Sequence, residues 1–252
     1  MYNLLIALAV ALVAFPLGRL AGSWTYGFAP AMLVFPIAWF LLARRTGKQV
    51  EAIFKRAMDE ISARRIDEGK EVLMSALPLG RWQFLVAQQV YAQLGALEYV
   101  QRNYSAARPL LEQSWSRNWQ AMALLALLDL RDGKPELAVS RLRKSKTFGG
   151  REPLLWAVLA WIHLQSNNRD AALATVGEGL VAIADNKALK ELRLAIANDQ
   201  LKKFDWPQQF GTGWYQFFPD QVPAVAAARQ ITPPPPKGAF GRGGKTWPAP
   251  RR

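Results

Sequence analysis

Apolar positions are spread unevenly along this chain. From Tyr2 to Leu17, and again from Tyr26 to Ala43, they form near-continuous runs. The first run can extend to Ala21 if Arg19 lays its aliphatic stem along the run and keeps its charge at the surface. Each run approaches the ~20 residues that cross a hydrocarbon core as a helix, and neither has a charge in its centre. Trp24, Tyr26 and Trp39 lie toward the run ends, where aromatic rings favour the membrane–water boundary. Pro16, Pro30 and Pro36 break a helix in water, but in lipid neighbouring groups satisfy the freed carbonyls. The pattern predicts a transmembrane helical hairpin over residues 1–43. A cleaved signal peptide is the competing reading of the first run, disfavoured because no Lys or Arg precedes it.

The pattern then changes period. From Gln49 to Lys203 Ala, Leu, Glu, Gln, Arg and Lys dominate, and strand-type alternation of Val, Ile and Thr is missing. Breaks fall at Leu77-Pro78, Arg102-Asn103, Arg131-Asp132-Gly133, Phe148-Gly149-Gly150 and Ser166-Asn167-Asn168. Their spacing predicts helices of about 12–18 residues joined by tight turns.

A third pattern begins near Asp205. Residues 206–252 hold nine Pro and six Gly, a composition typical of irregular chain. Pro233 to Pro236 form a short polyproline rod, and the end from Lys237 to Arg252 is Gly-rich and basic. The start of this tail is different. Phe204, Trp206, Phe210, Trp214, Tyr215, Phe217 and Phe218 place seven aromatics in 15 residues, a load that a solvated linker does not carry. Three placements compete for it: a lid folded back on the helical region, a docking peptide for another subunit, and a segment in the membrane interface.

Composition and charge narrow the chemistry. Among 252 residues there is no Cys and one His. That excludes disulfides, Fe–S clusters, thiolate nucleophiles and multi-histidine metal sites. Any His-dependent triad rests on His163 alone, which a packing role suits better. No second carboxylate is spaced to pair with Glu98 or Asp129 for acid–base work. Walker loops, dinucleotide fingerprints and nucleophile elbows are missing. The sequence therefore points to no enzyme, no metal and no cofactor.

The net charge of +13 is unevenly placed. Residues 1–43 hold only Arg19, 44–56 carry a net +4, 57–205 a net +3, and 206–252 a net +5. A near-neutral central region disfavours a nucleic-acid partner, which needs a basic stripe on the folded domain. The cluster opening with Arg44, Arg45 and Lys48 flanks the second run, and the positive-inside rule places that side in the cytoplasm. Both termini then face inward. The same cluster can hold anionic headgroups, although a stop-transfer flank alone explains it.

Within the helical region three segments share a layout of a large residue, Leu plus a small residue, a turn, then Ala with an apolar residue four later. They are Tyr91, Leu94-Gly95, Ala107, Leu111; then Met122, Leu125-Ala126, Ala138, Leu142; then Trp156, Leu159-Ala160, Ala172, Val176. This resembles the tetratricopeptide repeat (TPR), whose period is about 34 residues. The closing Pro of that repeat is missing, and Glu98 and Asp129 stand where an aromatic is usual.

The resemblance implies an all-α protein. A transmembrane hairpin (1–43) precedes a TPR-like α-solenoid of three to four helix pairs (44–203) and an irregular Pro/Gly-rich tail (204–252). Residues 50–77 fit a degenerate first hairpin and 185–203 a capping helix. It further implies a concave face lined by the first helix of each pair, with Gln89, Tyr99, Leu127, Arg131, Trp161 and Gln165 as candidate partner contacts, joined in the tail by Trp206, Trp214 and Phe217. The same residues could instead pack between hairpins. A groove of this kind suits an apolar or amphipathic segment. The expected role is a membrane-anchored TPR adaptor, or scaffold, gathering protein partners on the cytoplasmic face of a bacterial inner membrane. The alternative is an integral structural or assembly subunit of a larger membrane-embedded envelope complex, with Pro and Gly in the runs serving helix–helix packing.

Overall fold

The computed structural model describes residues 1–19 and 24–221, leaving out the side chains of 17–19, 24–27 and 29. The snorkelling of Arg19, the boundary positions of Trp24 and Tyr26, and the polyproline and Gly-rich stretches beyond residue 221 lie outside the described residues. Every regular element among the described residues is helical. The chain divides into two compact units between Ala87 and Gln88.

The first unit contains α1 (Tyr2–Arg19), α2 (Trp24–Ser62), α3 (Ile66–Met74) and a 3₁₀ turn at Leu77–Arg81. α1 packs along α2, and α3 packs on α2 further on. Ala7 and Ala11, one turn apart on α1, are buried. A buried polar pair ties the two long helices at one level: Asn3 Nδ2 donates to Thr46 Oγ1 at 2.9 Å, and the Thr46 hydroxyl donates to the Leu42 carbonyl at 3.1 Å. The N-terminal ammonium donates to the Arg81 carbonyl, and the Asn3 N–H to the Trp82 carbonyl at 3.3 Å.

α2 does not stop at the end of its apolar run. It continues for 39 residues in all, because 44–62 has a helical stripe of its own: Val50, Phe54, Ala57 and Ile61 are all buried. A Cβ on Gly69 would lie 2.5 Å from Ile61 Cγ1 and 3.1 Å from the Ala57 carbonyl oxygen, so the close approach of α3 to this stripe requires glycine. The second apolar run and the segment after it therefore share one helix. The rest of the apolar sheath faces outward: Leu4, Leu5, Ile6, Leu8, Val10, Leu12 and Val13 on α1, and Phe28, Met32, Leu33, Ile37, Trp39, Phe40 and Leu41 on α2, are exposed. Among the described residues no helix is long and apolar enough to cross a membrane. The stretch joining the two apolar runs, residues 17–27, is where side chains are not described.

The second unit is a series of helices that pack on one another. α4 (Val86–Val100) enters it, followed by α5 (Tyr104–Glu112), α6 (Trp119–Arg131), α7 (Pro135–Gly149), α8 (Pro153–Gln165), α9 (Arg169–Ala182) and α10 (Lys187–Ala197). Three of the expected breaks, and the end of α10, share one device. Arg102, Gly133, Asn167 and Asp199 follow α4, α6, α8 and α10 with φ of 66°, 75°, 54° and 56°. The next N–H reaches back to the carbonyl five residues earlier: Asn103 to Glu98, Lys134 to Asp129, Asn168 to His163, Gln200 to Ala195. This left-handed cap satisfies carbonyls that a helix end leaves bare. Asn118, Asn168 and Asn186 accept N–H bonds at the starts of α6, α9 and α10. The break placed at Phe148-Gly149-Gly150 falls at its end, since α7 runs through Gly149.

α6 packs on α5, α7 and α8, and α8 packs on α7, α9 and α10. The small residues expected at the crossings, Ala107, Ala126, Ala138, Ala160 and Ala172, are fully buried. α6 and α8 are the spine of the core, buried without interruption from Ala121 to Asp129 and from Leu155 to Ala160. A helix hidden on every side must be covered on its second face as well.

One charge lies in this core. Asp129 is 1% exposed. Its carboxylate accepts from Arg108 Nη1 and from Arg141 Nε, each at 2.7 Å, while Arg108 Nη2 meets Asp132 Oδ2 at 2.7 Å. The bond to Asp129 is the main cause that holds the Arg108 pKa above its ordinary value. Asp129 thus clamps α5, α6 and α7 together where a repeat of the expected type has an aromatic.

Candidate functional site

The second face of α6 and α8 is covered by the aromatic segment. After α10 the chain makes a 3₁₀ turn at Leu201–Lys203, the short helix α11 (Trp206–Phe210), and 3₁₀ turns at Thr212–Gln216 and Pro219–Gln221. Asp205 caps α11 by accepting the Gln208 N–H at 3.0 Å. Gly211, with φ of 76°, then reverses the chain, and the aromatics turn inward. Trp214 is 0% exposed and Phe217 1%.

These rings form one stack. Trp206 lies on Trp214 with centroids 4.5 Å apart, and Trp214 lies on Phe218 at 4.3 Å. The stack is seated on the first helix of each pair. Phe218 meets Trp161 of α8 at 4.4 Å and Phe217 meets Trp119 of α6 at 5.9 Å. The Tyr99 hydroxyl of α4 donates to the Phe217 carbonyl at 2.9 Å. A Cβ on Gly213 would come within 2.9 Å of Leu154 Cδ1. Arg102 pairs with Asp220 at 2.6 Å, and Trp214 Nε1 donates to Gln221 at 2.8 Å. Burial pushes the Tyr99 phenol pKa far up, the charges of Tyr104 and Asp220 adding to the effect, so Tyr99 is a fixed donor here. The segment is a plug in the groove, stabilised chiefly by burial of large rings.

The plug leaves a cavity of about 310 Å³ at its end. Tyr99, Tyr104, Leu127, Arg131 and Trp161 line it from the helices, and Phe217, Phe218, Pro219, Asp220 and Gln221 from the plug. Arg131 holds its guanidinium 4.1 Å over the Tyr104 ring, so a cation faces an aromatic ring on the cavity wall.

Of the candidate contacts read from sequence, Tyr99, Leu127, Arg131 and Trp161 come together here, and Phe217 joins them. Trp214 lies beneath, and half-buried Trp206 closes the stack. Half-buried Gln89 and exposed Gln165 do not line this cavity. Arg44, Arg45 and Lys48 are exposed on α2 in the first unit. Sequence reasoning missed Trp119 and Asp220 as contacts between plug and groove. Trp119 carried a usable signal, since it is a large apolar residue at the start of a first helix.

Among the described residues no group of His, Asp and Glu could hold a metal ion. His163 is buried in α8 with no partner for Nε2. Its pKa is lowered, first by burial and then by Arg143, against a smaller opposing pull from Glu178. Compared with protein-family models, with curated proteins and with solved structures, the chain matches none.

Proposed function

We propose that this chain is a membrane-anchored, TPR-like adaptor that gathers protein partners on the cytoplasmic face of a bacterial inner membrane. The observation that carries the proposal is the outward apolar sheath of α1 and α2. Among the described residues, fifteen large apolar side chains are exposed on these two helices. A surface of that kind is not stable in water and marks contact with lipid or protein. Exposed Arg44, Arg45 and Lys48 follow immediately, as they do on the cytoplasmic side of a membrane helix. The TPR-like character is supported by helix pairs that meet at small buried residues and by their repeated caps.

In this reading the groove serves recognition, and the plug is its first occupant. A partner that contacts Tyr99, Leu127, Arg131 and Trp161 competes with Phe217 and Phe218 for them. Binding is then weakened by the fraction of molecules in which the groove is closed.

Fractionation tests the anchor. The full chain should stay with membranes through an alkaline carbonate wash, and removal of residues 1–43 should release it. Protease added outside spheroplasts should spare a C-terminal tag. Release of the full chain by carbonate, or digestion of the tag, overturns the proposal. Loss of residues 1–43 should also cost an adaptor its location and not its partners. Loss of the partners themselves points to an embedded subunit of a larger complex.

A further inference from the structure

Three separate stretches of the first unit are held at one level by hydrogen bonds. Asn3 of α1 bonds through its side chain to Thr46 of α2 and through its backbone to Trp82 of the loop after α3. The N-terminal ammonium reaches the Arg81 carbonyl next door, and the Tyr2 ring stands edge-on to Trp82 with centroids 5.3 Å apart. The outward apolar sheath begins immediately on one side of this level, at Leu4 on α1 and Leu41 on α2. Thr46 is only about 7.5 Å of helical rise from Leu41. The exposed cations Arg44, Arg45 and Lys48 surround the same level on α2, and Arg81 is exposed in the loop.

The loop carries unexplained apolar surface at this height. Trp82 is 42% exposed and Phe84 59% exposed. Indole and phenyl rings beside a ring of cations, at the edge of a lipid-facing sheath, match the chemistry of the headgroup layer. There apolar ring faces meet acyl chains and cations meet phosphates.

We propose that the 77–84 loop is a second membrane contact, with Trp82 and Phe84 inserted shallowly into the headgroup layer of the bilayer that α1 and α2 enter. This rests on the membrane-anchor reading. The loop follows α3 in sequence, so it holds the Met74 end of α3 near the membrane surface and leaves α2 unable to swing freely as a stalk.

The absence of Cys from the sequence makes the test clean. Full-length Phe84→Cys, Asp67→Cys and Ile37→Cys are each labelled with an environment-sensitive fluorophore and placed in nanodiscs of mixed zwitterionic and anionic phospholipid. All three sites are exposed, and unchanged circular dichroism checks the fold. The label at 84 should shift to the blue against that at 67, and lipids bearing a quencher near the headgroup should dim it by at least a factor of two. The label at 37 should respond to quenchers deeper in the acyl chains. A water-like signal at 84 with a lipid-like signal at 37 overturns this inference alone. Water-like signals at both positions overturn the anchor reading as well.

Discussion

Replacing Trp214 by alanine removes the centre of the plug. The indole is fully buried, stacked between Trp206 and Phe218, and bonded to Gln221. Burial of a ring of about 200 Å² at about 25 cal/mol per Å² corresponds to roughly 5 kcal/mol. Measured Trp-to-Ala losses run to about 3–5 kcal/mol when the neighbours cannot collapse. The plug, however, is a terminal segment of the second unit. Its loss can cost no more than the free energy that holds it in the groove, because beyond that point it simply leaves. Two readouts separate these terms. Thermal unfolding of the detergent-solubilised full chain, followed by near-ultraviolet circular dichroism, should fall by roughly 10 °C, at about 3–5 °C per kcal/mol for a unit this size. Trypsin should cut faster after Lys202 and Lys203, which are exposed just before the plug. Trp214→Phe, which keeps the stack and loses the bond to Gln221, should retain most of the stability. A Trp214→Ala variant that melts within about 2 °C of the parent and is cut no faster refutes the plug as a stabilising element.

Asp129→Asn should destabilise the second unit by about 3 kcal/mol, read from urea unfolding, because Arg108 and Arg141 lose the anion between them; a loss under about 0.5 kcal/mol would mean the clamp is idle. Gly179→Ala on α9 should cost about 1–3 kcal/mol, since its Cβ would meet Trp156 Cγ at 2.8 Å. Gly177→Ala, two residues away with open space around it, should instead gain about 0.5–1 kcal/mol from helix propensity. His163 sets a pH dependence. Its folded pKa lies below the unfolded value, so the unfolded chain binds the proton first and stability falls as pH drops below about 6.5. His163→Phe should flatten that slope between pH 7 and 5, and an unchanged slope would assign it to other groups.

Much of the helical architecture was legible because its signals are local. The turns at Arg102, Gly133 and Asn167 were readable as breaks, and each became a left-handed cap that the chain could form wherever it landed. The small residues at 107, 126, 138, 160 and 172 recurred at fixed offsets, and they lie buried at helix crossings. The end of α2 was not legible. The change from apolar to basic residues at 44 suggests a boundary between elements. No residue there stops a helix, so the backbone runs on to Ser62.

The site divides along the same line. An excess of aromatics between 204 and 218 was visible as composition, and composition says only that such rings seek cover. It cannot say which surface gives that cover, because the partner surface is more than a hundred residues away at Tyr99. The groove residues had an ambiguity of the same origin: a ring on a concave face and a ring in a core share one periodicity. In the folded chain the two ambiguities resolve each other. Tyr99 of α4, Leu127 of α6 and Trp161 of α8 all lie toward the plug, and the plug covers the second face of α6 and α8. Asp129 was opaque for a related reason. A lone carboxylate in an apolar stretch reads as a mismatch until two arginines on different helices converge on it, and that convergence exists only once α5, α6 and α7 have packed. The plug and the clamp are thus both products of packing between distant segments. Their substitutions should accordingly act on the stability of the assembled unit and leave the helicity of each segment nearly unchanged.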